Sequence, residues 1–165
     1  MIEDEGLLMA VLNSAPVIDG TPTEQLGGST GNEIAARFGG TGTPDELAHL
    51  RNARAALHGV IRGEDDAVEP LTRAVDGAVL VPETTDTGVR WQLDVPADEE
   101  LAVRAVLAWS RAMEELPGRL RACANTECNL YLIDHSRPGK AKWCSMATCG
   151  NRMKARAHAR RARAS

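Results

Sequence analysis

The residues of this chain that can do chemistry lie close together near its C-terminal end. Cys123 and Cys128 enclose four residues, Cys144 and Cys149 enclose four more, fifteen residues separate the pairs, and there is no other cysteine. A loop of that size lets two thiolates turn toward one ion at about 2.3 Å, so two such loops complete a tetrahedron of sulfur. Zinc suits that donor set, and one structural Zn2+ per chain is the expectation. Two disulfides or four free buried thiols are the competing readings, and both leave the matched spacing unexplained. His135 lies between the pairs and could replace one thiolate, but that would orphan a cysteine from a symmetric set. Four sulfur ligands leave no position for a reacting water.

A second chemistry follows the cysteines. From Asn151 the chain runs through Arg152, Lys154, Arg156, Arg160, Arg161 and Arg163, with alanines between them. Alanine keeps helix propensity high. Arg152, Arg156, Arg160 and Arg163 step by four, four and three, which places them in one stripe along a helix. Lys154 and Arg161 fall on another face. Arg137, Lys140 and Lys142, between the cysteine pairs, can widen the same patch. Residues 119–165 hold eleven Lys/Arg against Glu127 and Asp134, a net +9, while residues 1–118 hold eight Arg against 21 acids, a net −13. An acidic body joined to a basic, metal-binding tail points to a polyanion. Intramolecular neutralisation, or a merely solvated basic tail, is the bland alternative.

The elements that must position these groups read as follows. Around the cysteines, 130–133 is strand-like, Ser136-Arg137-Pro138-Gly139 is a turn, and 140–143 leads back to Cys144. That layout is a knuckle, a hairpin and a ligand pair opening a helix, similar to a treble clef. Tyr131 and Trp143 are the candidates for its small core. With so few apolar residues the segment should need its metal to fold.

Upstream, 6–12 is a short apolar segment, 13–31 a loop, and 32–38 a brief helix. Thr43, Pro44 and Glu46 have the spacing of a helix cap, Leu47, Leu50, Leu57 and Ile61 recur at helical period, and Gly63 stops the run. A helix over 66–75 turns Val68, Leu71 and Val75 inward. Two β-prone runs in 78–95 form a hairpin, bounded by Pro82 and Pro96. Asp98 caps a last helix to about residue 116, and Trp91 and Trp109 are expected in the core. The fold class is therefore mainly α with a β-hairpin (α+β), a multihelical N-terminal domain over 1–118 and a zinc finger with a basic helix over 119–165.

No catalytic pattern is visible in the body. It lacks a phosphate loop, a His-Glu-x-x-His and a nucleophile elbow. His49 and His58 are nine apart and read as surface or cap residues. The acids at 64–66 and 98–100 sit at helix starts, where they help electrostatically. The expectation is no enzyme. No apolar run approaches the roughly 20 residues of a membrane span, and the first residues are acidic where a secretory signal is basic. A cytoplasmic protein with no membrane partner is expected.

Trp143-Cys144-Ser145-Met146-Ala147-Thr148-Cys149-Gly150-Asn151-Arg152 resembles the signature of the CGNR zinc finger family. Arg121-Ala122-Cys123 and Asp134-His135-Ser136-Arg137 are similar to that family too. More weakly, Leu12-Asn13 and residues 20–26 resemble the opening of the domain that usually precedes such a finger, described as a stress-induced transcriptional regulator. The resemblance implies zinc on the four cysteines and a bacterial regulator that binds double-stranded DNA. RNA, an acidic protein, or a ligand-sensing body with an accessory finger are the alternatives. Asn151 or Arg152 is the best candidate for a base edge. A homodimer fits regulators that read two half-sites, and a small-molecule or protein effector would act through the N-terminal domain.

Overall fold

The computed structural model describes residues 3–165. The chain runs α1 (Glu5–Leu12), β1 (Val17–Ile18), β2 (Thr21–Pro22), α2 (Gly28–Arg37), α3 (Pro44–Arg62), α4 (Val68–Ala74), β3 (Val79–Thr85), β4 (Gly88–Asp94), α5 (Glu100–Glu115), β5 (Leu120–Ala122), β6 (Tyr131–Ile133), a π-helical turn (Met146–Gly150) and α6 (Asn151–Arg163). The strands form three separate antiparallel ribbons, β1–β2, β3–β4 and β5–β6. The class is α+β, as the sequence predicts.

The core lies where α1, α3 and α5 meet. Leu7, Leu8, Val11 and Leu12 of α1 pack with Leu47, Leu50 and Leu57 of α3 and with Leu101, Ala105, Ala108 and Ala112 of α5. Small residues on α5 let the helices approach closely, and each buried leucine contributes about 2 kcal/mol. Leu120 and Tyr131 of the β5–β6 ribbon belong to the same core. No helix among the described residues is long and apolar enough to cross a membrane.

Helix α3 begins as its sequence predicts. The Thr43 hydroxyl accepts from the Glu46 amide at 3.1 Å, and the buried Glu46 carboxylate accepts from the Gly42 amide at 2.7 Å. Gly63 closes the helix in the left-handed region, φ 69°.

Several expectations need correction. Residues 13–31 are not all loop: they contain β1–β2, and α2 starts at Gly28 rather than residue 32. Gly31 allows this because a Cβ there would lie 2.9 Å from Leu47 Cδ1. In α4, Leu71 is buried but Val68 is exposed. Pro82 does not bound a strand but lies inside β3. Asp98 does not cap α5; it accepts from the Thr41 and Thr43 hydroxyls, both at 2.7 Å, and so ties the approach to α5 to the start of α3. Trp109 is partly buried against the core, but Trp91 stands in solvent.

Candidate metal centre

Strands β5 and β6 pair Leu120 with Ile133, Arg121 with Leu132 and Ala122 with Tyr131. The ribbon continues one step, with the Cys123 amide donating to the Leu130 carbonyl at 2.8 Å. The first cysteine pair therefore sits in the loop of this ribbon. The hairpin partner of 130–133 is 120–122, upstream of the knuckle, and 140–143 forms no strand. One backbone bond, Ala124 N–H to Lys142 O at 2.8 Å, brings the second pair alongside the first. The π-helical turn then carries Cys149 inward, and the glycine after it packs closely under the Met146 and Trp143 side chains. A Cβ at Gly150 would meet Met146 Sδ at 2.7 Å and Trp143 Cδ1 at 3.2 Å.

All four Sγ atoms lie within 4.8 Å of one another. Cys128 and Cys144 Sγ are 3.7 Å apart, against the roughly 3.8 Å edge of a sulfur tetrahedron with 2.3 Å bonds. The donors around the sulfurs also suit thiolates. Leu130 N–H points to Cys128 Sγ at 3.5 Å, Cys144 N–H to Cys123 Sγ at 3.4 Å, and the Asn125 amide to Cys149 Sγ at 3.5 Å. Such outer contacts orient metal ligands. Burial among the other thiols pushes Cys144 up as a free acid, a penalty that a bound cation removes. The residues fit a structural zinc ion. His135 is no ligand; its Nε2 lies 2.7 Å from Glu5 Oε1.

Two residues that sequence reasoning passed over organise the centre. Asn125 is fully buried and bonds both Cys149 and the Glu127 amide. Asp134, counted as a charge and as part of a family-like run but given no role, is 3 % exposed. Its oxygens accept from the Ser136 amide at 2.9 Å, the Ala141 amide at 2.8 Å and Arg121 Nη2 at 3.0 Å. Hydrogen bonding from Ser136, with the Ala141 amide and the Arg121 charge, holds its carboxyl at about 2. This anion fastens the 136–141 turn that returns the chain to Cys144. Arg119 joins it by donating to the Ser136 carbonyl at 2.6 Å.

The ribbon is docked on the helices. Tyr131, expected in a small core of the finger, is 1 % exposed and buried in the main core instead. Its N–H donates to Asn13 Oδ1 at 2.8 Å, and Asn13 Nδ2 donates to its carbonyl at 3.2 Å. Asn129 bridges Val17 N–H and the Ala15 carbonyl. His58 is not a surface residue: its ring stacks on Tyr131 at 4.5 Å, with Nε2 2.9 Å from the Leu12 carbonyl. Burial, with Arg62 and Arg54 nearby, moves His58 below the usual histidine value. A depressed folded value means stability is present above the unfolded value of about 6.5 and is lost as pH falls through it. His58→Phe should cost about 1 kcal/mol at pH 7 for the lost hydrogen bond. It should also remove the part of the stability loss between about pH 7 and pH 5 that the wild type owes to this ring. Parallel denaturant curves for both proteins check this, and identical pH slopes would refute it.

The predicted basic contact residues lie in two places. Arg137, Lys140 and Lys142 are exposed beyond the Asp134 turn. On α6 no residue is buried, and only Met153 and Ala157 are half-covered. Arg156 bonds Glu127 of the first knuckle at 2.6 Å, which holds that carboxyl below its usual range. Arg152, Lys154, Arg160, Arg161 and Arg163 form no ion pair among the described residues. Asn151 directs its amide to the Ala147 carbonyl at 3.4 Å, in the π-helical turn that precedes α6.

Elsewhere, the acids Glu64, Asp65 and Asp66 line a cleft of about 630 Å³ with His49, Asn52 and Arg73.

Residues 119–162 match the family described as CGNR zinc finger. The matched segment contains all four cysteines and nearly all of α6. No curated protein matches the chain.

Proposed function

We propose that this chain is a DNA-binding protein of the transcription-regulating kind, in which the zinc-held turn presents α6 to duplex DNA. The observation that carries the reading is the nakedness of α6. Thirteen residues, six of them basic and none acidic, form a helix with no buried side chain. Such a helix is about 20 Å long and gains little from packing, so its own sequence and the metal-held turn must support it. Its width suits a major groove about 12 Å across. The like-charged neighbours of the Arg152, Arg160 and Arg163 stripe repel in the free protein, and phosphates reverse that cost by releasing counterions. Arg156 is partly neutralised by Glu127, so phosphate contact falls mainly to the others. In this reading the metal supplies structure, the chain performs no catalysis, and a stress signal would reach the finger through the acidic helices.

Fluorescence anisotropy with a labelled duplex tests it. If about four phosphates are engaged, log K should fall with log salt at a slope of roughly −4, about a hundredfold loss between roughly 50 and 200 mM. Absent or salt-independent binding would sink the proposal, and stronger competition by RNA or an acidic peptide would redirect it. A second reading, a ligand-sensing body, draws on the acid-lined cleft, whose volume lies in the range of ligand sites. Melting curves against a panel of small organic cations test that reading, and a panel without a stabilising member removes it.

A further inference from the structure

The β3–β4 ribbon stands largely in solvent. Every residue of its two strands except Thr85 and Leu93 is exposed, so neither face is covered by the helices. A lone two-stranded hairpin is marginal in water. Its register places Leu80 with Leu93, Pro82 with Trp91 and Thr84 with Val89 on one face, and Val79 with Asp94, Val81 with Gln92 and Glu83 with Arg90 on the other. The first face is an apolar ladder. At its base, Leu80 and Leu93 line a groove of about 400 Å³ with Leu71, Val75, Val106 and Leu107. Further out, Trp91 is 61 % exposed and Val89 60 %.

The two edges of the ribbon are not equivalent. Pro82 interrupts the donors of β3, which blunts that edge against another strand. Strand β4 has no proline, and its outer edge is free to accept one. Its sequence Arg90-Trp91-Gln92-Leu93-Asp94 is complementary to itself when reversed. An antiparallel pairing about a two-fold axis at Gln92 sets Arg90 opposite the partner's Asp94 and Trp91 opposite the partner's Leu93. Centring the axis on Trp91 instead would pair Arg90 with the partner's Gln92 and match no charges. Neither Arg90 nor Asp94 has an ion-pair partner among the described residues. On β4 itself, the exposed Val89 and Trp91 side chains stand beside the joining edge, where a paired strand would cover part of them.

We propose that the occupant of this surface is a second copy of the chain, joined β4 to β4 into a continuous four-stranded sheet whose apolar ladders are contiguous. The contact is isologous, so each favourable pair occurs twice. The proposal stands on the ribbon alone and does not depend on zinc or DNA.

Sedimentation velocity of the full-length, zinc-loaded protein from about 1 to 100 µM should show a dimer whose population grows with concentration. Arg90→Asp alone and Asp94→Arg alone should each raise the dimer Kd on the order of tenfold or more, because like charges then face across the strand at both ends. An equimolar mixture of the two variants should restore dimerisation, since each introduced charge meets its opposite. Because Arg90→Asp places a second acid beside Glu83, a variant independent of charge guards against local fraying. Gln92→Cys, the self-opposed position, should cross-link two chains under mild oxidation, whereas Val89→Cys should not. A monomer at every concentration, a dimer indifferent to both charge reversals, a mixture that fails to recover, or cross-linking at residue 89 but not 92 would each overturn the proposal.

Discussion

Stripping the metal with a chelator, or replacing Cys149 with serine, should unfold the two cysteine loops and α6 while leaving β5 and β6 docked. The metal contributes on the order of 10 kcal/mol to a site of this type, more than the residues around it can replace. The buried groups of the 123–128 and 144–151 loops are chiefly Cys123, Cys149, Gly150 and Asn125, with Trp143 half-covered. By contrast, Leu120 and Tyr131 belong to the helical core, and the Asn13 and Asn129 bonds to the ribbon use no metal ligand. Hydrogen exchange read residue by residue should show protection lost at 123–128 and 144–163 and kept at 120–122 and 131–133. Full protection with chelator present would defeat the structural-zinc role. Collapse of the whole chain would defeat the division between metal-held loops and core-held ribbon.

Tyr131→Ala should cost about 3–5 kcal/mol, far more than its place in a small metal-binding segment suggests. The substitution empties a core position, removes the ring that His58 stacks on at 4.5 Å, and uncovers Arg62, whose guanidinium lies 5.5 Å from the ring centroid. Tyr131→Phe should change stability by less than about 1 kcal/mol, because the buried hydroxyl has no bond to lose within the protein. Thermal unfolding monitored on the helices, rather than on the zinc, checks both. An alanine variant whose helices melt at the wild-type temperature would show that the ribbon does not belong to the core.

The parts of the molecule legible in the sequence are those governed by local chemistry. Thr43, Pro44, Glu46 and Gly63 mark both ends of α3 because caps and stops act within a few residues. The cysteine spacing yields the metal centre for the same reason. Contacts between distant segments are not encoded in any window. Nothing near Tyr131 announces that its slot lies against His58 and Asn13, and nothing near Asp98 announces the Thr41 and Thr43 hydroxyls. Asp134 carries no local sign of its role because its partners come from two segments, Arg119 and Arg121 from the stretch that opens β5 and the Ser136 and Ala141 amides from the turn it fastens. Trp91 was misplaced because tryptophan is assigned to a core by default, and a ribbon with two open faces breaks that rule.

The seam between the first helix and the β5–β6 ribbon has a consequence for biosynthesis. Asn13 and Tyr131 are 118 residues apart in the chain, and Glu5 and His135 are 130 apart. As the protein leaves the ribosome, α1 and α3 emerge with an open slot that only the last quarter of the chain can fill. Closure of such a long loop is slow relative to local helix formation. Until residue 131 has emerged, part of the apolar surface of α1 remains uncovered. The metal-binding end thus serves as the latch of the nascent protein, and a chain terminated before it would be released with its core unsealed.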